Sequence, residues 1–86
     1  MKIRVQYYSY LRDAVGRGEE ELQLNAGDTA GRAMELLCSR YSKLAECRKS
    51  VLLAIGLEWV KPDAQLNDGD VLSLMPPVQG GAANDQ

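Results

Sequence analysis

The sequence predicts an α+β domain of about five strands and one main helix. Three observations carry this. Lys2 to Ser9 alternates apolar and polar residues with the period of a strand, and Val71 to Met75, where Val71, Ser73 and Met75 alternate with Leu72 and Leu74, reads as a last strand. Between them one stretch keeps a helical period for about three turns. A third stretch, Val51 to Ile55, is uninterrupted apolar sequence between Ser50 and Gly56, which suits an inner strand buried on both faces.

The first strand places Ile3, Val5 and Tyr7 on one face, with Lys2, Arg4, Gln6 and Tyr8 on the other. Leu11 and Val15, four residues apart, allow a short helix that Gly16 and Gly18 end. Glu20 to Leu24 alternates again with Leu22 and Leu24 inward, so it pairs with the first strand as a hairpin-like unit. Asn25 to Asp28 is a turn. Thr29 is a good helix N-cap, with Asp28 adding favourable charge at the positive end of the dipole. From there Ala30, Ala33, Met34, Leu37, Cys38 and Tyr41 form one apolar stripe, which predicts one long helix lying on the sheet. Leu57 to Val60 is a short strand with Trp59, followed by a turn at Pro62-Asp63. Asn67-Asp68-Gly69-Asp70 is a tight turn that demands positive φ at Gly69, and it leads into the last strand.

Composition narrows the function. At 86 residues the chain is one domain, and chains of this size bury only about 60% of their unfolded surface. Ten basic residues, a net charge of −2 and no Lys/Arg stripe argue against nucleic acid as a partner. No apolar run approaches a membrane span, and the charged first residues are unlike a signal peptide, so a cytoplasmic protein is expected. The chain has no histidine, so histidine-based metal sites and histidine acid–base chemistry are excluded. Two cysteines are a poor zinc set and no disulfide framework. Cys38 lies on the helical stripe, and Cys47 lies near Arg48 and Lys49; packing is the expected role of both. The chain therefore reads as a part acted upon by others, with no bound cofactor or metal expected.

The most informative stretch follows the last strand: Met75-Pro76-Pro77-Val78-Gln79-Gly80-Gly81. The prolines bias the backbone to an extended form, and the glycines make its last part thin and unhindered. Seven extended residues reach roughly 23 Å, enough to enter a channel in another protein. The division expected is a folded domain over 1–76 and an extended tail over 77–86.

This tail, in its setting, resembles that of the small subunits of molybdopterin synthase, sulfur carriers of the ubiquitin-like β-grasp superfamily. The resemblance runs from Met1 to Gly81. Tyr10-Leu11-Arg12-Asp13-Ala14-Val15-Gly16 after the first strand, Thr29 at the helix start, Leu53-Ala54-Ile55 in the inner strand and Leu66-Asn67-Asp68-Gly69-Asp70-Val71 at the turn are all similar to family landmarks. Three features depart from it. Gly56 stands where the family commonly has Asn, Gln79 replaces a usual small polar residue, and Ala82 to Gln86 follow the glycine pair that usually ends the chain.

The resemblance implies a β-grasp fold, with first and last strands side by side and parallel and the helix across one face. It also implies a chemistry. An adenylating enzyme, using ATP and Mg, would join the carboxylate of Gly81 to AMP, and a sulfur donor would displace AMP to leave a thiocarboxylate. The large synthase subunit would then take the tail, guided by Pro76, Pro77, Val78 and Gln79 with Gly80 giving clearance, and sulfur would pass to a pterin precursor. A peptidase would first remove 82–86. Docking is expected on an apolar sheet surface that includes Tyr8, Leu72 and Leu74. Two alternatives stay open: a carrier or modifier of another pathway (thiamine, other thiolation, conjugation to lysine), and a β-grasp binding module that keeps its tail.

Overall fold

The computed structural model describes residues 1–77. Strand β1 is Lys2–Tyr7, helix α1 Tyr10–Val15, β2 Glu19–Gln23, α2 Ala30–Arg40, α3 Ser42–Glu46, β3 Leu52–Ile55, β4 Glu58–Val60 and β5 Val71–Met75, with a 3-10 turn at Arg48–Ser50 before β3. The strands form one sheet in the order β2-β1-β5-β3-β4. The first and last strands are its central pair and run parallel, with Val5 opposite Leu72 and Tyr7 opposite Leu74. The other pairings are antiparallel. This is the β-grasp arrangement.

The period-2 pattern sends one set of side chains to the helical side. Ile3, Val5, Tyr7, Leu22, Leu53, Leu72 and Leu74 are buried there against Ala30, Ala33, Met34 and Leu37 of α2, and Leu11, Leu24, Leu44 and Leu66 complete the core. Thr29 caps α2 by accepting the Arg32 N–H at 3.2 Å. Asp28 acts otherwise than expected. Its carboxylate accepts the Asn25 N–H at 2.9 Å and so closes the preceding turn. The expected long helix is α2, and it ends where its stripe ends, with Tyr41 as its C-cap. Tyr41 takes extended backbone (φ −123°, ψ 100°), and the apolar pattern continues in α3, which is a separate helix. In β3, Leu53 and Ala54 are buried while Leu52 and Ile55 are half-buried, so the two-sided burial expected for Val51 to Ile55 holds only at its middle. Gly69 has φ 86°, as the turn before β5 requires. Among the described residues no helix is long and apolar enough to cross a membrane.

One charged side chain is built into this core. Glu20 shares a face with Leu22, and its side chain is 6% exposed. The hydroxyls of Tyr7 and Tyr41 both donate to its Oε2, at 2.6 and 2.7 Å. Arg17 and Arg40 reach its Oε1 at 3.6 and 3.5 Å. The two tyrosine rings meet edge to face, with centroids 6.4 Å apart. The cluster ties β1 and β2 to the end of α2, which explains why Tyr41 leaves the helix. Burial, and then the adjacent Glu20 carboxylate, push both tyrosine hydroxyls above their ordinary range.

Removing one donor to a charged, buried acceptor should be costly: Tyr7→Phe is expected to lower unfolding free energy by about 1.5–3 kcal/mol in urea titration. The tyrosines also set an alkaline limit. Their folded-state values lie above the unfolded value near 10, so the folded protein retains protons that the unfolded chain releases. Their contribution to stability is complete below about pH 10 and is lost as pH rises beyond it. The Tyr7→Phe/Tyr41→Phe variant should show a smaller loss of stability than wild type between about pH 10 and 11.5.

Candidate functional site

The face of the sheet opposite α2 is uncovered by any described element. Its residues are the alternate members of each strand. On the β2 side it is polar. Arg4 lies between Glu19 and Glu21 at 3.4 and 3.5 Å, and Gln6 Nε2 donates to Glu19 at 3.5 Å. On the β4 side it is apolar. Leu52 stands opposite Met75, and Ala54 lies between Ser73 on one neighbour and Trp59 on the other. Ala54 and Ser73 are buried, being small, and Trp59 beside them is 65% exposed. Val71 and Met75 are half-buried on this same face. At the end of β1, Tyr8 donates its N–H to Leu74 O at 3.1 Å and is 41% exposed, with its hydroxyl on Gln6 at 3.0 Å. A flat surface with an aromatic anchor, small residues around it and a charged margin has the make-up of a protein-docking patch.

The chain leaves this patch as the tail. β5 ends at Met75, and Pro76 and Pro77 follow, both half-buried. Tyr8 is thus placed beside the exit, as expected of a surface residue. Leu72 and Leu74 are not. Both are fully buried on the helical face, so the surface role expected of them is corrected. A run that is apolar on both faces does not reveal which alternate set points inward. The opposite set, Val71, Ser73 and Met75, belongs to the patch, with Leu52, Ala54 and Trp59 from the neighbouring strands. Val78, Gln79, Gly80 and Gly81 and the five residues after them lie outside the described residues.

The apolar part of the patch, Leu52, Ala54, Trp59, Val71, Ser73 and Met75, holds no ionisable side chain, and its one hydroxyl, on Ser73, is buried. Among the described residues no three His, Cys, Asp or Glu side chains are grouped to hold a metal ion. Cys38 is half-buried against the core, and burial raises its thiol above the ordinary range, which fits packing. The geometry supports docking and delivery of a chain end.

A model of the ThiS family matches residues 5–81, from within β1 through the other four strands to the glycine pair. The chain belongs to the ThiS family. Its relatives include a molybdopterin synthase sulfur carrier subunit of Chlamydomonas reinhardtii, 28% identical over 83 residues, spanning 94% of this chain and 100% of the relative. A Pyrococcus furiosus structure assigned as molybdopterin converting factor subunit 1 superposes with a TM-score of 0.83 at 30% identity, over 91% of this chain and 99% of its own. A complex of subunits 1 and 2 of the molybdopterin-converting factor from Helicobacter pylori contains a chain of the same fold, with a TM-score of 0.67 at 20% identity over 91% and 96% of the two chains. Within this ThiS-family fold the departure at Gly56 is mild. Its φ of 61° lies on the left-handed side that Asn also tolerates, and the hairpin loop keeps two residues.

The reassignment of the two faces has a direct test. Leu72→Ala should cost about 2–5 kcal/mol, as for any large core residue. Trp59→Ala, on the open face, should cost less than about 1 kcal/mol. Chemical denaturation of the two variants distinguishes the faces.

Proposed function

We propose that this chain is the sulfur-carrier subunit of a molybdopterin synthase. It is not an enzyme alone; it is the part that is loaded and docked. The observation that carries the reading is the reach of the family match. It runs through β5 and into the tail as far as Gly81, and β5 ends beside an open apolar patch that a partner needs in order to hold the tail.

The chemistry asks little of this chain except a free, uncrowded carboxylate. The Gly81 carboxylate attacks the α-phosphate of ATP on an adenylating partner, and pyrophosphate leaves. A sulfur nucleophile then attacks the acyl carbon and AMP leaves, so that one C–O bond is exchanged for one C–S bond. A side chain at either glycine would crowd the nucleotide and the nucleophile. Pro76, Pro77, Val78 and Gln79 link β5 to Gly80 and Gly81, which enter the large subunit, where sulfur passes to a pterin precursor. The link is anchored by the Trp59, Met75 and Tyr8 patch. Ala82 to Gln86 occupy the place where the carboxylate is needed, so they are removed by a peptidase before activation. The absence of histidine agrees with this division of labour, since proton transfers fall to the partners.

The test is reconstitution of a chain ending at Gly81 with an adenylating enzyme, ATP and a sulfur donor. Wild type should gain one sulfur in place of one oxygen by intact mass. Gly81→Val should fold normally and fail to load. Trp59→Asp should weaken capture by the large subunit by at least about tenfold, since a buried aromatic anchor is worth more than about 1.4 kcal/mol. Normal loading of Gly81→Val would refute the carrier reading.

A further inference from the structure

Strand β4 is the outer edge of the sheet. Its three residues have no backbone partner on their outward side among the described residues. Which groups point outward follows from the hairpin. Gly56 and Leu57 are a two-residue turn, closed by Ile55 and Glu58. The pair that closes such a turn is hydrogen-bonded, and bonded and non-bonded pairs alternate along an antiparallel ladder. Ala54 and Trp59 are therefore a non-bonded pair. The N–H and C=O of Trp59 point away from the sheet, into solvent.

Beside this edge, on the helical side, lies a cavity of about 600 Å³ between α2, the turn before β3, and the end of β4. Met34, Leu53 and Val60 line it together with the exposed cations Arg48, Lys49 and Lys61. None of these three cations has a carboxylate within salt-bridge distance among the described residues; the ion pairs formed there involve Arg4, Arg17, Arg32 and Arg40. The one acid on the edge, Glu58, is exposed and pairs with no cation there.

We infer that the β4 edge is a self-association surface, where two copies of this chain pair antiparallel about a two-fold axis at Trp59. The register is self-complementary, as a two-fold contact must be. Each Trp59 exchanges both main-chain bonds with Trp59 of the second copy, using the groups that point outward. Glu58 then stands opposite Val60 of the second copy. Opposed residues share a face, and Glu58 and Val60 both belong to the helical face through their pairing with Ile55 and Leu53. The carboxylate of each Glu58 is thereby brought to the cation-lined cavity of the other copy, within reach of the long Lys61 side chain. The two Trp59 rings meet on the open face, which becomes continuous across a ten-stranded sheet. The occupant is charge-complementary, and every group it uses is on this chain. The inference does not depend on the sulfur-carrier reading.

Three residues make a short seam, so the dimer belongs to the weak class of contacts. Sedimentation equilibrium of the chain, from about 10 μM to about 1 mM, should pass from monomer toward dimer with a Kd on the order of 100 μM. Glu58→Lys and Lys61→Glu should each weaken the dimer at least tenfold, and the double exchange should restore it, because each reversed acid meets a reversed cation. Neither residue belongs to the open-face patch. An NMR dilution series of wild type gives an answer that does not depend on variants: concentration-dependent amide shifts should centre on 57–61. A monomer across the whole range overturns the inference. So does a dimer indifferent to both charge reversals, or dilution shifts that map away from β4.

Discussion

The parallel pairing of β1 with β5 is the constraint on which the rest depends. These strands are the two ends of the folded chain, and they lie together at the centre of the sheet. No turn can join parallel neighbours, so everything between Tyr7 and Val71 must cross from one side of the pair to the other. The helix α2 is that crossing, and it covers one face only. The other face is left open by the same topology. Because β5 is central and last, the tail leaves the sheet between β1 and β3, at the margin of the open face, with Tyr8 on one side and Leu52 on the other. The position of the tail is therefore a product of the fold. A tail after an edge strand would have no apolar surface on both flanks.

The same topology explains the buried charge. β2 is an edge strand on the helical side, where α2 ends, and a small core leaves that corner thin. Glu20 fills it with a carboxylate held by two tyrosine hydroxyls and two guanidinium groups. A buried charge is tolerated only when paired and hydrogen-bonded, and here its donors come from β1, the loop before β2, the end of α2 and its cap. The cluster fixes the approach of the helix to the hairpin, and so the register on which the open face depends.

Much of this was legible in the sequence, and for physical reasons. Strand and helix periods depend on the chain alone, so Ile3, Val5 and Tyr7 and the stripe of α2 follow from spacing. Turns with special backbone needs, such as the one at Gly69, follow from residue type. The burial of Glu20 was not read from the sequence, because its partners Tyr7, Arg17, Arg40 and Tyr41 come from separate elements that only the fold brings together. What also did not follow was the choice between faces in β5. Leu72 and Leu74 are as apolar as their neighbours, and only the packing of α2 decides that they are core while Met75 is surface. Trp59 was missed for the same reason. A large aromatic in a short strand reads equally as core or as an anchor until the strand order is known. The glycine pair was read from chemistry and resemblance, because the role proposed for it rests on a chain end and a partner and not on packing within this fold.

The central claim is that Gly81 becomes the chain end and carries sulfur. The most direct measurement is the intact mass of the protein isolated from its own host. The account predicts loss of 82–86 together with replacement of one oxygen by sulfur at Gly81. A full-length mass, unchanged after incubation with ATP, an adenylating partner and a sulfur donor, would contradict it and leave a β-grasp module that binds through its open face.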